Sequence, residues 1–110
     1  MDERVIEEIT LRIREARDVL HPVIHRTPTI HSKTFSEIAK SEVYLKLENL
    51  QKTGAFKVRG AYYKLSKLLK SAEISKVVTA SSGNHAQGVA YSASLLGVKA
   101  IVVMPRHTPF

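Results

Sequence analysis

The chain has 110 residues, 44% of them hydrophobic and 25% charged, and it contains no cysteine. These proportions are ordinary for a globular protein and argue against disorder, while the lack of cysteine excludes disulfides, thiolate catalysis and thiolate metal sites. No apolar run is long enough for a secretory signal or a membrane span, so we expect a cytoplasmic protein without a membrane partner.

The first half of the chain predicts two helices and a strand. Apolar residues recur at helical spacing from Glu3 to Leu20, and Pro22 ends this helix, whose apolar face we expect to lie in the core. A short helix is predicted from Ser36 to Lys40. From Glu42 to Glu48, apolar and polar residues alternate as they do in a half-buried strand.

A lysine stands at the start of the next predicted helix. Lys57 lies between Phe56 and Val58, shortly after the flexible Thr53 and Gly54 pair. Desolvation in a cleft would free the amine of this lysine to attack a carbonyl carbon, as Schiff-base lysines do, and an ordinary solvated lysine is the alternative. The apolar stripe that follows at helical spacing comprises Val58, Ala61, Tyr62, Leu65, Leu68 and Leu69.

The last third of the chain has the pattern of one βαβ unit. Lys76 to Ala80 and Ala100 to Met104 each predict a short buried strand, and Gly97 ends the amphipathic helix between them. Ligands usually bind beyond the carboxyl end of the first strand of such a unit, where serine, glycine and asparagine occupy residues 81–84. This turn could bind an anion through backbone amides or could simply cap a helix. The apolar face of the helix comprises Ala86, Val89, Ala90, Ala93 and Leu96.

Four motifs, taken together, resemble those of one enzyme family. HRTP at His25–Pro28, KLEN at Lys46–Asn49, AFKVRGA at Ala55–Ala61 and SSGNHAQG at Ser81–Gly88 occur in the order found in fold-type II pyridoxal-phosphate enzymes. The resemblance is strongest to the threonine dehydratase (threonine ammonia-lyase) and serine racemase family. It implies an α/β fold with a parallel sheet, of the tryptophan synthase β-subunit-like class. Ala55 is a departure, because most relatives have serine there.

The resemblance also assigns roles around the cofactor, pyridoxal 5'-phosphate. It implies that Lys57 forms the Schiff base and later transfers the Cα proton, that Phe56 packs beside the cofactor, and that Asn84 donates a hydrogen bond to its phenolic oxygen. Ser82 matches the acid/base serine of racemising relatives, so it is assigned with Lys57 as catalytic. The loop that holds the substrate carboxylate would comprise Ser81, Ser82, Gly83, Asn84 and His85.

The implied reaction is the deamination of L-threonine to 2-oxobutanoate and ammonia, with a place in amino-acid metabolism and isoleucine biosynthesis. Serine racemase or a serine dehydratase is the closest alternative. Relatives bind the cofactor phosphate in a glycine-rich loop downstream, and this sequence has no adjacent glycines. We therefore expect an N-terminal portion, with the fold incomplete at the C-terminus. In this interpretation residues 1–73 begin the large cofactor-binding domain, residues 74–110 form the first βαβ unit of the small domain, and the full-length protein is a homo-oligomer.

The net charge of +7 raises nucleic-acid binding as a second class of function. Lys64, Lys67 and Lys70 form a basic edge, but no exposed aromatic residues or known binding signature accompany it, so a solvated helix face is the better interpretation. His21 and His25 have metal-ligand spacing, yet no carboxylate or thiolate completes a site, and we assign no metal. A catalytically incomplete fragment that acts as a binding module is the remaining alternative.

Overall fold

Residues 2–109, which the computed structural model describes, alternate helices and short strands that form two separate two-stranded sheets. A 3-10 turn, Glu48–Leu50, follows the first sheet. No helix within this range is long and apolar enough to cross a membrane. The elements in chain order are α1 (Glu3–Leu20), β1 (Thr29–His31), α2 (Lys33–Ala39), β2 (Tyr44–Lys46), α3 (Lys57–Ser71), β3 (Lys76–Ala80), α4 (Asn84–Leu96) and β4 (Lys99–Val103).

Helix α1 has the predicted bounds, but its apolar face does not lie in a core. Leu20 is buried at the end of the helix. Within residues 2–109, α1 contacts the other elements at α3 alone, where Tyr63 and Lys67 donate hydrogen bonds to the Glu15 carboxylate. The expectation of a buried face was therefore wrong for this part of the chain, because nothing in it covers the stripe. The exposed apolar residues of α1 are Val5, Ile6, Ile9, Leu11 and Ile13.

The first sheet pairs β1 with β2 in antiparallel register, with Ile30 opposite Leu45. The sequence pattern did not predict β1. Helix α2 begins earlier than expected because the Ser32 hydroxyl accepts a hydrogen bond from the Phe35 amide at 3.3 Å and caps the first turn. β2 is shorter than the predicted strand, since Glu48 already belongs to the 3-10 turn.

The βαβ unit forms as predicted, with β3 and β4 parallel and α4 between them. Gly97 ends α4 at a φ of 70°, the left-handed region that favours glycine. Two details of the expectation were wrong. Ala90 is exposed, and both strands alternate between exposed and half-buried residues because one face of this sheet has no cover within residues 2–109.

The core lies between α3 and α4, which pack along much of their length. Their facing residues are mostly small, so the two helix axes can approach closely. The division of the chain after residue 73 stays a prediction. The buried apolar residues of this core are Val58, Ala61, Leu65, Ala86, Val89, Ala93 and Val98.

Candidate active site

Lys57 is the first residue of α3, and it follows a turn in which Gly54 has a φ of 68°. Its Nζ lies 5.0 Å from the centroid of the Phe56 ring, which is itself largely exposed. The Lys57 side chain is also exposed. Residues 2–109 therefore do not desolvate Lys57, and the alternative of a solvated lysine describes it within this part of the chain.

Gly88 brings the second motif against this lysine. A Cβ atom at Gly88 would lie 3.1 Å from the carbonyl carbon of Lys57 and from the amide nitrogen of Val58, tighter than ordinary contacts allow. Glycine at this position therefore permits the main chains of α3 and α4 to touch. Asn84 lies one helical turn before Gly88 and shares its face of α4. The contact thus joins the helix that begins with the SSGN segment, Ser81–Asn84, to the first turn of the helix that carries Lys57.

The loop itself is organised by Ser81. Its Oγ accepts hydrogen bonds from the amides of Gly83 at 3.3 Å and Ala86 at 3.2 Å, so it satisfies two donors at the start of α4. The hydroxyl proton of Ser81 is not used in these two bonds and stays available for an acceptor. Ser82, Gly83 and Asn84 are exposed, so their polar groups are accessible.

A cleft of about 590 Å³ lies between α3 and β3, in the size range of small-molecule sites. Phe56 and Lys57 line it, and so does His85, whose Nε2 lies 3.1 Å from Thr79 Oγ1. Ser81, Ser82, Gly83 and Asn84 do not line the cleft. The apolar part of the lining is formed by Ala61, Leu65, Leu68, Val77, Val78 and Val89, and the further cationic part by Arg59 and Lys64.

An ion pair between Glu48 and Arg59, two residues after Lys57 in α3, was missed by sequence reasoning. Arg59 donates from Nε to Glu48 Oε2 at 2.8 Å and from Nη2 to Oε1 at 2.7 Å, and Thr27 donates to Oε1 at 2.6 Å. The hydrogen bonds from Arg59 outweigh the effect of burial and lower the pKa of Glu48 from 4.5 to about 2. The carboxylate in turn raises the pKa of Arg59. Glu48 lies in the KLEN motif and Arg59 in the AFKVRGA motif, and neither had an assigned role. An unassigned charged residue in each motif was the available signal, although no spacing rule pairs the two.

Gln51 joins the N-terminal motif to the same region. Its Oε1 accepts from the amides of His25 at 2.8 Å and Lys52 at 3.1 Å, while its Nε2 donates to the carbonyl of His25 at 2.9 Å. The side chain is buried. These bonds fix the HRTP segment against the chain that leads to Lys57.

The basic edge and the histidines have structural contacts of their own. Lys67 lies 2.7 Å from the Glu15 carboxylate, so one of the three lysines in that edge has an acidic partner. Lys64 lines the cleft. Over residues 2–109, histidine and carboxylate side chains form no group of three or more that could hold a metal ion.

Comparisons with known proteins show what this chain is similar to. The chain is 52% identical over 102 residues to the L-threonine ammonia-lyase of Thermotoga maritima, a match that covers 92% of this chain and 25% of that protein. The chain therefore spans about a quarter of the length of that relative.

Solved structures resemble the fold as well. The processed form of threonine deaminase isoform 2 from Solanum lycopersicum superposes with a TM-score of 0.78 at 34% identity, over 94% of this chain and 29% of its own. The serine racemase of Dictyostelium discoideum gives a TM-score of 0.81 at 43% identity, over 89% of this chain and 32% of its own.

A sequence model for the family described as pyridoxal-phosphate dependent enzyme matches residues 20–110. This match extends over all the motifs and agrees with the α/β architecture and the parallel strand pair. The chain therefore belongs to the pyridoxal-phosphate-dependent enzyme family, and the family and fold class that the motifs predicted are confirmed.

Proposed function

We propose that this chain supplies the lysine-bearing part of a pyridoxal 5'-phosphate-dependent L-threonine ammonia-lyase, which converts L-threonine to 2-oxobutanoate and ammonia. The observation that supports the proposal is the contact of Gly88 with the Lys57 main chain, because it joins the SSGNHAQG motif to the helix that carries the lysine. The relative named L-threonine ammonia-lyase supports threonine as the substrate.

The residues present fit the cofactor chemically. Pyridoxal phosphate is a flat aromatic ring with an aldehyde and a dianionic phosphate. The cleft offers apolar side chains, an aromatic ring at Phe56, and the cationic groups of Lys57 and Lys64. When bound, the cofactor supplies an aldehyde that condenses with a primary amine, with loss of water, and a ring that delocalises the charge left at Cα.

Each proposed residue then has a defined task. Lys57 provides the amine for covalent attachment and, once released, takes the proton from the substrate Cα. Phe56 covers one side of the site. Asn84, which lies outside the cleft lining, would donate a hydrogen bond to the phenolic oxygen of a cofactor bound between the cleft and α4.

The loop residues are proposed to bind and orient the substrate carboxylate. Ser81 would donate a hydrogen bond from its hydroxyl to the carboxylate. The anion would be surrounded by Ser82, Gly83, Asn84 and His85 at the N-terminus of α4, where backbone amides and the helix dipole favour negative charge. Fixing the carboxylate orients the Cα–H bond towards the Lys57 amine. Ser82 is also the proposed acid/base on the opposite side of the substrate.

Serine racemase or serine dehydratase activity is the second candidate. The superposition with the Dictyostelium discoideum serine racemase favours it, and the exposed Ser82 hydroxyl suits either role. The two are distinguished by products. Threonine deamination gives 2-oxobutanoate, serine deamination gives pyruvate, and racemisation gives D-serine without ammonia.

Three finer statements belong to the same proposal. We infer that the full-length protein is a cytoplasmic enzyme of isoleucine biosynthesis and that it forms a homo-oligomer. The Thermotoga maritima relative supports the reaction, whereas location, pathway and assembly rest on the family resemblance alone. Sedimentation of the purified protein would measure the oligomeric state directly.

The test is covalent labelling of the purified protein with pyridoxal phosphate and borohydride, followed by peptide mapping. We expect saturable labelling at Lys57 that is lost in Lys57→Ala. Lys67→Ala is the matched control, because Lys67 lies on the same helix, pairs with Glu15 outside the cleft and should leave labelling of Lys57 in place. Equal, unsaturable labelling of both lysines would contradict the proposal. Incubation of the cofactor-loaded protein with L-threonine and L-serine then identifies the product.

A further inference from the structure

The first turn of α3, which carries Lys57, has no side-chain cap. Phe56 occupies the N-cap position, and its side chain makes no hydrogen bond to the helix. Helix ends without such bonds fray readily, since their first amides are unsatisfied. Something else must therefore fix the position of Lys57.

The Glu48–Arg59 ion pair provides that restraint. Arg59 lies in the first turn of α3, two residues after Lys57, and Glu48 begins the 3-10 turn after β2. The two parallel hydrogen bonds between a guanidinium and a carboxylate fix orientation as well as distance, which a lysine in place of arginine cannot do.

The carboxylate end of this pair is itself held in place. Thr27 donates to Glu48 and is buried, and the Glu48 side chain is only 17% exposed. A partly buried, bidentate pair of this kind is more rigid than an exposed one. The first turn of α3 is thus tied to the end of the first sheet.

We propose that Glu48, acting through Arg59, is a positioning residue that sets where the Lys57 amine meets the carbonyl group of the cofactor. The inference rests on the proposed function, since it assumes covalent attachment at Lys57. Glu48 touches neither cofactor nor substrate in this proposal. Its effect is on the orientation of the first turn of α3.

The test measures the rate of borohydride-trapped attachment at Lys57 against pyridoxal phosphate concentration. The dependence yields a half-saturating concentration, a maximum rate and a labelled fraction. The key variant is Arg59→Lys, which keeps the charge and loses the planar fork. We expect a maximum rate at least about tenfold lower, because small misplacements of a reacting group are costly, with an unchanged labelled fraction.

Two further variants sharpen the test. The control is Lys67→Gln, which breaks the exposed ion pair with Glu15 on the same helix and should leave the rate unchanged. The double variant Glu48→Gln/Arg59→Lys should attach the cofactor no more slowly than the slower of the single variants Glu48→Gln and Arg59→Lys. Both changes remove the same restraint, so their effects should not add. Circular dichroism of each variant reports folding separately.

The outcomes separate the inference from the proposed function. A wild-type maximum rate in Arg59→Lys would overturn the inference and leave the proposed function standing. A smaller labelled fraction with a wild-type rate would show a purely structural pair and would overturn it as well. If the wild-type protein does not attach the cofactor at Lys57, the proposed function fails and the inference fails with it.

Discussion

Gly88 of α4 and Lys57 of α3 touch through their main chains. A Cβ atom at Gly88 would lie 3.1 Å from the carbonyl carbon of Lys57 and 3.2 Å from its carbonyl oxygen. Two motifs that are distant in the sequence become one site through this contact. The geometry of the site therefore depends on a residue that takes no part in the proposed chemistry.

We predict that Gly88→Ala lowers the free energy of unfolding by about 1–3 kcal/mol, as overpacking of a close contact commonly does. The added methyl group meets backbone atoms, which cannot rotate away, so α3 must shift. Attachment of pyridoxal phosphate at Lys57 should slow as a result. Urea unfolding and trapping kinetics measure the two effects.

Gly60→Ala is the matched control for the stability measurement. Gly60 lies inside α3, and nothing is within 4 Å of a Cβ placed there. Alanine should therefore stabilise the helix by about 0.5–1 kcal/mol. Wild-type stability and wild-type attachment kinetics in Gly88→Ala would contradict the prediction, because α3 and α4 could then move apart without cost.

The pKa of Glu48 predicts a loss of stability in acid. Its folded value of about 2 lies below the unfolded value near 4.5, so the ionised carboxylate stabilises the fold above pH 4.5. This contribution is lost as pH falls from 4.5 towards 2. After allowance for solvent screening of Arg59, it amounts to about 2 kcal/mol.

The measurement is the free energy of unfolding between neutral pH and about pH 3, in wild type and Glu48→Gln. The variant should be less stable at neutral pH and should lose less stability on acidification. Glu15→Gln is the control, because Glu15 also has a lowered pKa but forms an exposed pair with Lys67. A steeper acid dependence in Glu48→Gln than in wild type would refute the assignment.

Local patterns in the sequence predicted the elements that depend on neighbouring residues. The bounds of α1 and β3 agree with the pattern because apolar spacing and helix ends are local properties. β1 was missed because its three exposed residues form a strand only through pairing with β2. Burial was overestimated for α1, since spacing identifies an apolar face without identifying what covers it.

The site divides in the same way. The motifs identified Lys57 and the SSGN loop as candidates, and their proximity followed from the fold. The Glu48–Arg59 pair and the Gln51 bonds could not be predicted, because each joins residues through tertiary contacts that no spacing rule encodes. Resemblance to a family points to conspicuous motifs more readily than to the residues that hold them together.

Gln51 provides a third prediction. Replacement with leucine removes the buried Gln51 amide that pairs with the amide and carbonyl of His25, which should cost about 1–2 kcal/mol. Gln51→Glu keeps the acceptor and loses the donor, so its stability should also fall. Thermal unfolding followed by circular dichroism measures both. Equal stability of Gln51→Leu and wild type would mean that water replaces these bonds.

The exposed face of α1 predicts concentration-dependent self-association of this chain. Ile13 is 63% exposed and lies in an apolar stripe, and such patches associate in water. Ile13→Lys should reduce light scattering at high protein concentration while the free energy of unfolding changes by less than about 0.5 kcal/mol.

Leu20→Ala is the contrasting variant. Leu20 is 6% exposed, so its truncation should cost about 2–4 kcal/mol. A large loss of stability in Ile13→Lys would instead show that the stripe is covered within the folded protein.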